Sequence, residues 1–346
     1  MSGGVDSSLA AALLTEAGYD VIGITMGLWA EESTERRRRI CCSLEGVDDA
    51  RRVCHNLGIP FYVLNFEPEF QNHVIDYFCQ EYSRGRTPNP CLACNDKIKF
   101  ELLLKMALAS GADYLATGHY ARIESSQGRY RLLKGIDSAK DQSYVLYTVG
   151  QAQLKHLLFP LGEYRKDGVR RMAAERGLHT YDKDESQEIC FIPDGNYGSF
   201  LIQCIHPVPG EIVDLGGRVL GRHRGIAFYT IGQRRGLGIA AEEPLYVLRI
   251  DAQTNTLVVG PEAELFSDTL LASKVNFISG QPPPRDIEVE AKIRYRSAGE
   301  KAVLSPQGEL FQLRFHQPQR AITPGQAVVF YHGDEVLGGG IIEKAI

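Results

Sequence analysis

The string Ser2-Gly3-Gly4-Val5-Asp6-Ser7-Ser8 opens a run of apolar residues with helical spacing, and it sets the fold of the first half of the chain. Two glycines let backbone amides approach an anion closely. The start of the following helix adds unpaired N–H donors and the positive end of a dipole. The Lys-Ser/Thr ending of the common nucleotide loop is missing. The string therefore predicts a site that grips a departing pyrophosphate while the α-phosphate is attacked; the alternative is a capped helix after a glycine turn.

Strands and helices alternate after this loop. A helix is expected over 7–17, with Asp6 as its cap and Gly18 as its stop. A strand normally precedes such a loop, so either the true start of the chain lies further upstream, which we expect, or the sheet lacks a central strand. The alternation predicts an α/β fold with an N-terminal doubly wound parallel sheet. The patterns predict strands over 21–26, 61–65 and 114–117, helices over 47–57, 70–83, 96–109, 142–158 and 165–176, and a hairpin over 122–133.

The second half has a different pattern. From Pro207 onward, short alternating apolar runs are separated by turn residues, which predicts antiparallel β structure. We expect a small β-rich linking domain and then an antiparallel β-barrel. The expected boundaries are 1–203 for a nucleotide-binding catalytic domain, 204–266 for the linking domain and 267–346 for the barrel.

Composition limits the class of protein. The 346 residues suffice for two or three domains of about 150 residues. Lys plus Arg is 38 and Asp plus Glu is 43, which argues against nonspecific coating of nucleic acid but allows local basic patches. Such clusters at 36–39, 165–176, 222–235 and 292–301 fit either RNA phosphate contacts or solvated surface charge. No apolar run reaches about 18 residues and no secretion signal is visible, so we expect a cytoplasmic protein that does not span a membrane.

The eight cysteines predict reduced thiols in a cytoplasm. Cys91 and Cys94 form a C-x-x-C motif between prolines and a helix start, which suits a redox pair, a metal site or half of an iron–sulfur site. Cys190 lies in an apolar run after an acidic stretch, and its pattern alone favours a buried core thiol over a nucleophile. The same buried role is expected for Cys54, Cys79 and Cys204. His119 ends the third strand, where it fits a ligand contact or a structural hydrogen bond.

Several strings occur in one order along the whole chain: S-G-G-V-D-S-S at 2–8, G-R-T-P-N-P-C-L-A-C-N at 85–95, A-T-G-H-Y-A at 116–121, K-D-Q-S-Y at 140–144, E-S-Q-E-I-C-F-I at 185–192, Y-T-I-G-Q-R-R-G-L-G at 229–238, R-Y-R at 294–296 and T-P-G-Q-A-V-V-F-Y at 323–331. Together they resemble the bacterial and organellar tRNA-specific 2-thiouridylase family, whose first string is the PP-loop of ATP pyrophosphatases. The resemblance implies ATP-dependent 2-thiolation of the wobble uridine of tRNA, with adenylation of its C2 oxygen. It implies a tRNA-uridine 2-sulfurtransferase that uses ATP and Mg²⁺.

The resemblance also implies residue roles. Cys190 would carry sulfur as a persulfide, and Cys94 would act as the nucleophile that frees the product and leaves a Cys94–Cys190 disulfide. Contacts with ATP are implied for Ser2, Gly3, Gly4, Val5, Asp6, Ser7, Ser8, Met26 and Gly118. Contacts with the flipped-out target base or the tRNA are implied for Asn89, Pro90, Cys91, Lys140, Asp141, Gln142, Arg294 and Tyr295. The expected partners are tRNA and, as sulfur donor, a sulfur-relay protein or a cysteine desulfurase.

Cys91 departs from the family pattern, which often has Asp three residues before the Cys94 position. Three cysteines, Cys91, Cys94 and Cys190, could instead bind a [4Fe-4S] cluster whose open iron takes hydrosulfide. The persulfide relay and the cluster therefore stand as two hypotheses. Rival functions are another PP-loop tRNA or amide ligase, which needs no paired thiols, and a non-catalytic RNA- or sulfur-carrier-binding protein.

Overall fold

A computed structural model of the chain describes residues 1–28, 44–184, 189–192 and 195–346. The chain divides into two units, of which the first contains residues 1–74, 91–196 and 334–336 and the second contains residues 75–90, 197–333 and 337–346. The basic cluster at 36–39 and the string Glu185-Ser186-Gln187-Glu188 lie outside the described residues.

The regular elements are numbered along the described part of the chain. The helices are α1 (Val5–Glu16), α2 (Leu44–Leu57), α3 (Glu67–Phe70), α4 (Asp76–Ser83), α5 (Pro90–Ala93), α6 (Leu104–Ala109), α7 (Gln151–Leu154), α8 (Lys166–Glu175) and α9 (Tyr197–Cys204), with π-helical turns at Gln71–Ile75 and Cys94–Leu103. The strands of the first half are β1 (Gly23–Gly27), β2 (Phe61–Asn65), β3 (Leu115–Ala116), β4 (Ala121–Ser126), β5 (Arg129–Lys134) and β6 (Leu157–Leu158). Those of the second half are β7 (Gly210–Val213), β8 (Val219–His223), β9 (Tyr246–Asp251), β10 (Thr256–Gly260), β11 (Phe266–Phe277), β12 (Ile287–Lys292), β13 (Glu300–Gln307), β14 (Leu310–Arg320), β15 (Ala327–His332) and β16 (Glu335–Ala345). None of the helices within the described ranges has the length and apolar character needed to cross a membrane.

The first unit has the predicted α/β character. Strand β1 pairs in parallel with β2, and β3 pairs in parallel with β6. Helix α1 ends at Glu16, and Gly18 lies just beyond it with φ of 84°, a conformation that glycine adopts without strain. The apolar face of α1 packs against α8 through Leu9, Val169 and Ala173, all fully buried. These contacts fix the helix that follows the glycine loop.

Two local predictions in the first unit are wrong. The helix expected over 142–158 is a 3₁₀ turn at Ser143–Leu146, then α7 and β6. Gly150 interrupts the expected helix, because its backbone is extended at the start of α7. The Gly150 N–H donates to the side-chain oxygen of Gln153 over 3.0 Å instead of to a helical carbonyl. Asp6 does not cap α1, since Gly4 holds the N-cap position and Asp6 lies inside the first turn.

The second unit carries the predicted β structure. Strands β7 to β10 form a sheet in the order β8-β7-β10-β9, and the pair β7 and β10 is parallel, so the expectation of purely antiparallel pairing is wrong at that point. Strands β11 to β16 form an antiparallel barrel in the order β11-β14-β13-β12-β15-β16, which is closed by pairing of β11 with β16. The barrel encloses a core that includes Leu270, Leu304, Leu313, Val328, Phe330 and Ile342.

Candidate nucleotide and thiol sites

The glycine loop forms an open helix start. Gly4 stands at the N-cap of α1 with extended backbone, and it has no side chain that could occupy the space in front of the first-turn N–H groups. Ser2 and Ser7 face each other, with their Oγ atoms 3.2 Å apart. Gly3 has φ of 72°, and a Cβ there would come within 2.2 Å of the Gly46 carbonyl oxygen. The loop therefore presents the first-turn amides of α1 to an anionic phosphate, beside the hydroxyls of Ser2 and Ser7, which bond to each other and, from Ser7, to the Gly4 carbonyl.

Gly118 borders this loop, and Met26 lies in the strand that is bonded to the residue before the loop. A Cβ at Gly118 would lie 2.9 Å from the carbonyl carbon of Asp6 and 3.0 Å from the amide nitrogen of Ser7, so position 118 lies directly against the first turn of α1. Met26 belongs to β1, whose Thr25 hydroxyl donates to the Met1 carbonyl over 2.8 Å. The structure thus brings Gly118 against the loop and ties the residue before the loop to the strand that holds Met26.

Two residues at this loop were missed by the sequence analysis. The Lys166 ammonium lies 2.8 Å from both oxygens of the Asp6 carboxylate, and the Tyr120 hydroxyl donates to Asp6 Oδ1 over 2.7 Å. Lys166 is 160 positions from Asp6 and is one cation of the basic cluster at 165–176, so no local pattern distinguishes it. Other cations of that cluster make internal contacts: Arg176 pairs with Glu16, and Arg170 donates to the carbonyls of Tyr181 and Lys183.

His119 makes the contacts of a structural histidine. Its Nδ1 lies 2.7 Å from the Thr117 hydroxyl, and its ring contacts Phe100 and Phe159 at centroid distances of 5.9 Å. Burial, and then the nearby charge of Lys99, hold the pKa of His119 well below its ordinary value. The imidazole is therefore neutral at physiological pH.

The C-x-x-C motif lies at a helix start, as predicted. Pro88 and Pro90 are buried, and Pro90 begins the short helix α5. Cys91 is exposed and Cys94 is buried at the first π-helical turn. The two thiols therefore differ in access to solvent.

Cys190 is only half-buried, which differs from the expected core position. The side chains that follow it, Phe191 and Ile192, are buried instead. Phe191 packs edge-on against Phe70 of α3 with ring centroids 5.7 Å apart, and α3 in turn packs against the π-helical turns that begin at Cys94. The segments of both predicted thiols therefore meet at α3.

The other buried-thiol expectations have mixed outcomes. Cys54 and Cys79 are buried, as predicted. The prediction for Cys204 is wrong, because this thiol is exposed at the end of α9. Among the described residues, no three His, Cys, Asp or Glu side chains are grouped as metal ligands, so the three thiols of the cluster hypothesis are not gathered into one ligand set.

The segment at 140–142 is held by internal hydrogen bonds. Asp141 accepts from the N–H groups of Gly135 and Ser143 over 3.0 and 3.1 Å. Gln142 accepts from the Tyr120 N–H over 3.0 Å. Lys140 is half-buried beside them. This network fixes the backbone of the predicted tRNA-contact segment next to Tyr120 and hence next to the loop.

A separate cavity of about 320 Å³ in the second unit contains another predicted tRNA-contact residue, Arg294. The Arg294 guanidinium donates to the carbonyls of Arg320 and Ala321, and Thr87 and Gln326 line the same cavity. Gln326 donates to the Thr87 carbonyl over 2.7 Å. Tyr295 is exposed at 37% of its surface. The structure thus brings Arg294 into one cavity with Thr87, which begins the segment that contains Asn89 and Pro90.

The chain matches three domain families in order. Residues 1–194 match the tRNA methyl transferase HUP domain, residues 198–261 the tRNA methyl transferase PRC-barrel domain, and residues 267–342 the aminomethyltransferase β-barrel domain.

Relatives match over the whole chain. The tRNA-specific 2-thiouridylase MnmA of Clostridium perfringens is 53% identical over 350 residues, which cover 100% of this chain and 98% of that protein. The protein of the same name from Carboxydothermus hydrogenoformans is 53% identical and covers 100% of this chain and 97% of its own length. That of Desulforamulus reducens is 54% identical, with coverage of 100% and 96%.

Proposed function

This chain belongs to the tRNA-specific 2-thiouridylase family, and from that premise we propose that it replaces the C2 oxygen of the wobble uridine of tRNA with sulfur at the expense of ATP. It is an enzyme, a tRNA-uridine 2-sulfurtransferase. One observation carries this proposal: a single unit holds the phosphate-binding loop at α1 and the segments of both Cys94 and Cys190. Nucleotide activation and sulfur transfer therefore have their residues in one body.

The loop serves the activation step. The first-turn amides of α1 and the hydroxyls of Ser2 and Ser7 would hold the phosphates of ATP. The uridine C2 oxygen attacks the α-phosphorus, the bond from that phosphorus to the bridging oxygen breaks, and pyrophosphate leaves. Mg²⁺ accompanies the nucleotide, and the Asp6 carboxylate is the type of oxygen ligand that this ion prefers.

The two thiols serve the transfer step. A persulfide on Cys190 attacks C2 through its outer sulfur, and AMP leaves with the former C2 oxygen. The Cys94 thiolate then attacks the inner sulfur on Cys190, which breaks the sulfur–sulfur bond and releases the 2-thiouridine. The resulting Cys94–Cys190 disulfide needs two electrons from a thiol reductant before the next turnover. The half-exposed position of Cys190 supports this order, because the incoming sulfur must reach it.

The proposed substrate is tRNA, and the proposed sulfur donor is another protein. Asn89, Pro90 and Cys91 would surround the flipped-out base, while Lys140, Asp141, Gln142, Arg294 and Tyr295 would contact the tRNA. A sulfur-relay protein or a cysteine desulfurase would deliver the persulfide sulfur. The reaction would take place in the cytoplasm, where thiols stay reduced.

The test is a direct assay of product. Unmodified tRNA is incubated with the protein, ATP, Mg²⁺, a thiol reductant and a cysteine desulfurase with cysteine, which delivers sulfur already at the persulfide level, and the anticodon nucleosides are analysed by mass spectrometry. We expect 2-thiouridine from the wild type and from the control variant C204S, and none from C94S or C190S. Formation of 2-thiouridine by C94S or C190S would exclude the relay and favour a ligase that needs no paired thiols. Anaerobic purification decides the cluster alternative, since an iron-free protein that thiolates tRNA excludes it.

A further inference from the structure

A lysine ammonium lies against the phosphate-binding loop. Lys166 is the first residue of α8, and its Nζ contacts both oxygens of Asp6 at 2.8 Å. The ammonium also lies 5.6 Å from the centre of the Tyr120 ring. Only 10% of the Lys166 side chain is exposed. A positive charge is thus held at the loop in spite of the cost of removing it from water.

The packing of α1 against α8 does not account for this ion pair. The two helices already share an apolar contact through Leu9, Val169 and Ala173, all fully buried. A largely buried ion pair rarely adds net stability over apolar side chains of similar volume. The position of the pair at the helix starts, where the loop binds its ligand, therefore points to a role in binding.

The loop itself lacks a cation for a triphosphate. The string from Ser2 to Ser8 contains no Lys or Arg, and the Asp6 carboxylate would repel a phosphate placed beside it. A lysine is a compact charge with three donors on a flexible stem. The Lys166 ammonium can therefore turn from the Asp6 carboxylate to a phosphate oxygen while the backbone of α8 stays in place.

We infer that Lys166 is a phosphate-binding residue of this site, which exchanges Asp6 for oxygens of the β- and γ-phosphates when ATP binds. This inference rests on the proposed use of ATP. Negative charge builds on the bridging oxygen as its bond to the α-phosphorus breaks. Lys166 donates a hydrogen bond to the leaving pyrophosphate and keeps its own proton.

The backbone at Lys166 has its own anchor. The Lys166 N–H donates to Asp137 Oδ2 over 2.9 Å, and the Ala139 N–H donates to Asp137 Oδ1 over 3.1 Å. Asp137 is buried, with 6% of its surface exposed. Because these bonds use main-chain donors, a substitution of the Lys166 side chain leaves the start of α8 tied in place.

The test measures binding of ATP, AMP and pyrophosphate by calorimetry, without tRNA and with EDTA present. We expect K166Q to lower the affinity for ATP and for pyrophosphate by about tenfold to a hundredfold. The affinity for AMP should fall by no more than about twofold. We expect D6N to raise the affinity for ATP, because the substitution removes a carboxylate that repels phosphate and releases the Lys166 ammonium from its ion pair. If the ion pair were purely structural, K166Q and D6N would both change the affinity for ATP in the same direction. The control is K105Q, since Lys105 is exposed on α6.

The outcomes separate the inference from its premise. A wild type that binds ATP no more tightly than AMP, both in EDTA and when the titration is repeated with Mg²⁺, overturns the proposed use of ATP and the role of Lys166 with it. An intact preference for ATP in folded K166Q overturns the role of Lys166 alone. If K166Q does not fold, the sign of the D6N effect decides, and weaker ATP binding by D6N rejects the inference.

Discussion

The Arg86 guanidinium donates to the Glu343 carboxylate over 2.6 Å, which joins the residue before the Thr87–Pro90 segment to the last strand of the barrel. Arg86 also donates to Glu81 at 2.7 Å, and the Ser273 hydroxyl donates to Glu343. Both partners of the pair are largely buried, with 20% and 33% of their side chains exposed. The pair therefore holds the approach to Asn89 and Pro90 within the second unit.

Substitution of Arg86 should be costly for stability. R86Q leaves the Glu343 carboxylate partly buried without Arg86 and leaves Glu81 with only the exposed Arg84, so we expect the free energy of unfolding to fall by about 2–4 kcal/mol in urea denaturation. The matched control is R84Q, because Arg84 contacts the same Glu81 at 3.5 Å but is 66% exposed. That control should change stability by less than about 0.5 kcal/mol. Equal losses in the two variants would show that burial does not matter here.

The pH dependence of this pair has a defined sign. Burial acts to raise the pKa of Glu343, but hydrogen bonds from Arg86 and Ser273 outweigh it and leave this pKa below its ordinary value. The stabilisation by ionised Glu343 is therefore present above the unfolded-state pKa and is lost as pH falls through the folded-state pKa. We expect the stability difference between the wild type and E343Q to close in acid denaturation series below about pH 4. A stability difference between the wild type and E343Q that stays constant down to about pH 3 would contradict this account of Glu343.

Buried His119 should make the first unit sensitive to mild acid. Burial and Lys99 lower the pKa of His119, so the folded chain binds this proton less readily than the unfolded chain. Stability is then retained above the unfolded-state pKa, near 6.5, and lost below it at about 1.4 kcal/mol per pH unit. We expect the wild type to lose stability relative to H119Q as the pH falls from 7 to 5. The control H332Q changes an exposed residue, and a wild-type curve parallel to that of H119Q would refute the prediction.

The sequence predicted elements best where the signal was local. Strand 61–65 coincides with β2, and Gly18 lies just beyond the end of α1 as expected, because apolar runs and positive-φ glycines act within a few residues. The prediction of a helix over 142–158 was wrong because tertiary packing decides the local structure there. Its apolar spacing matches burial of Tyr144 and Leu146 in a 3₁₀ turn as well as it matches a helix.

The candidate site was only partly predictable. The glycine loop and Gly118 follow from motifs, but the approach of Lys166 to Asp6 joins residues that are 160 positions apart in the sequence. Cys204 was expected in the core because it ends an apolar helical run, and the structure places it at the exposed end of α9. The sequence shows which face of a helix is apolar. The elements that pack against that face determine which of its residues remain exposed to solvent, and a single sequence does not identify those elements.

Gly118 should tolerate no side chain. A Cβ there would lie 2.9 to 3.0 Å from Asp6 and Ser7, so G118A should push away the first turn of α1 and cost about 1–3 kcal/mol. We expect ATP affinity to fall in calorimetry while the second unit remains folded. The control is G221A, since a Cβ at Gly221 meets its nearest atom, in Ile239, at an ordinary 3.6 Å. Unchanged ATP affinity in G118A would remove Gly118 from the nucleotide site.

Cys204 should be far more reactive than Cys79, although the two thiols share a hydrogen bond. That bond lowers the pKa of Cys204, whereas the same bond and burial raise the pKa of Cys79. Helices α4 and α9, which carry them, pack through Phe78 with Phe200 at 6.1 Å. Because thiolate is the reactive form, we expect iodoacetamide at neutral pH to label Cys204 in folded protein, read out by peptide mass spectrometry, while Cys79 and the buried control Cys54 stay unlabelled. In C79A the pH at which Cys204 reacts half-maximally should rise, since its thiolate loses a donor; an unchanged profile would mean that exposure alone governs its reactivity.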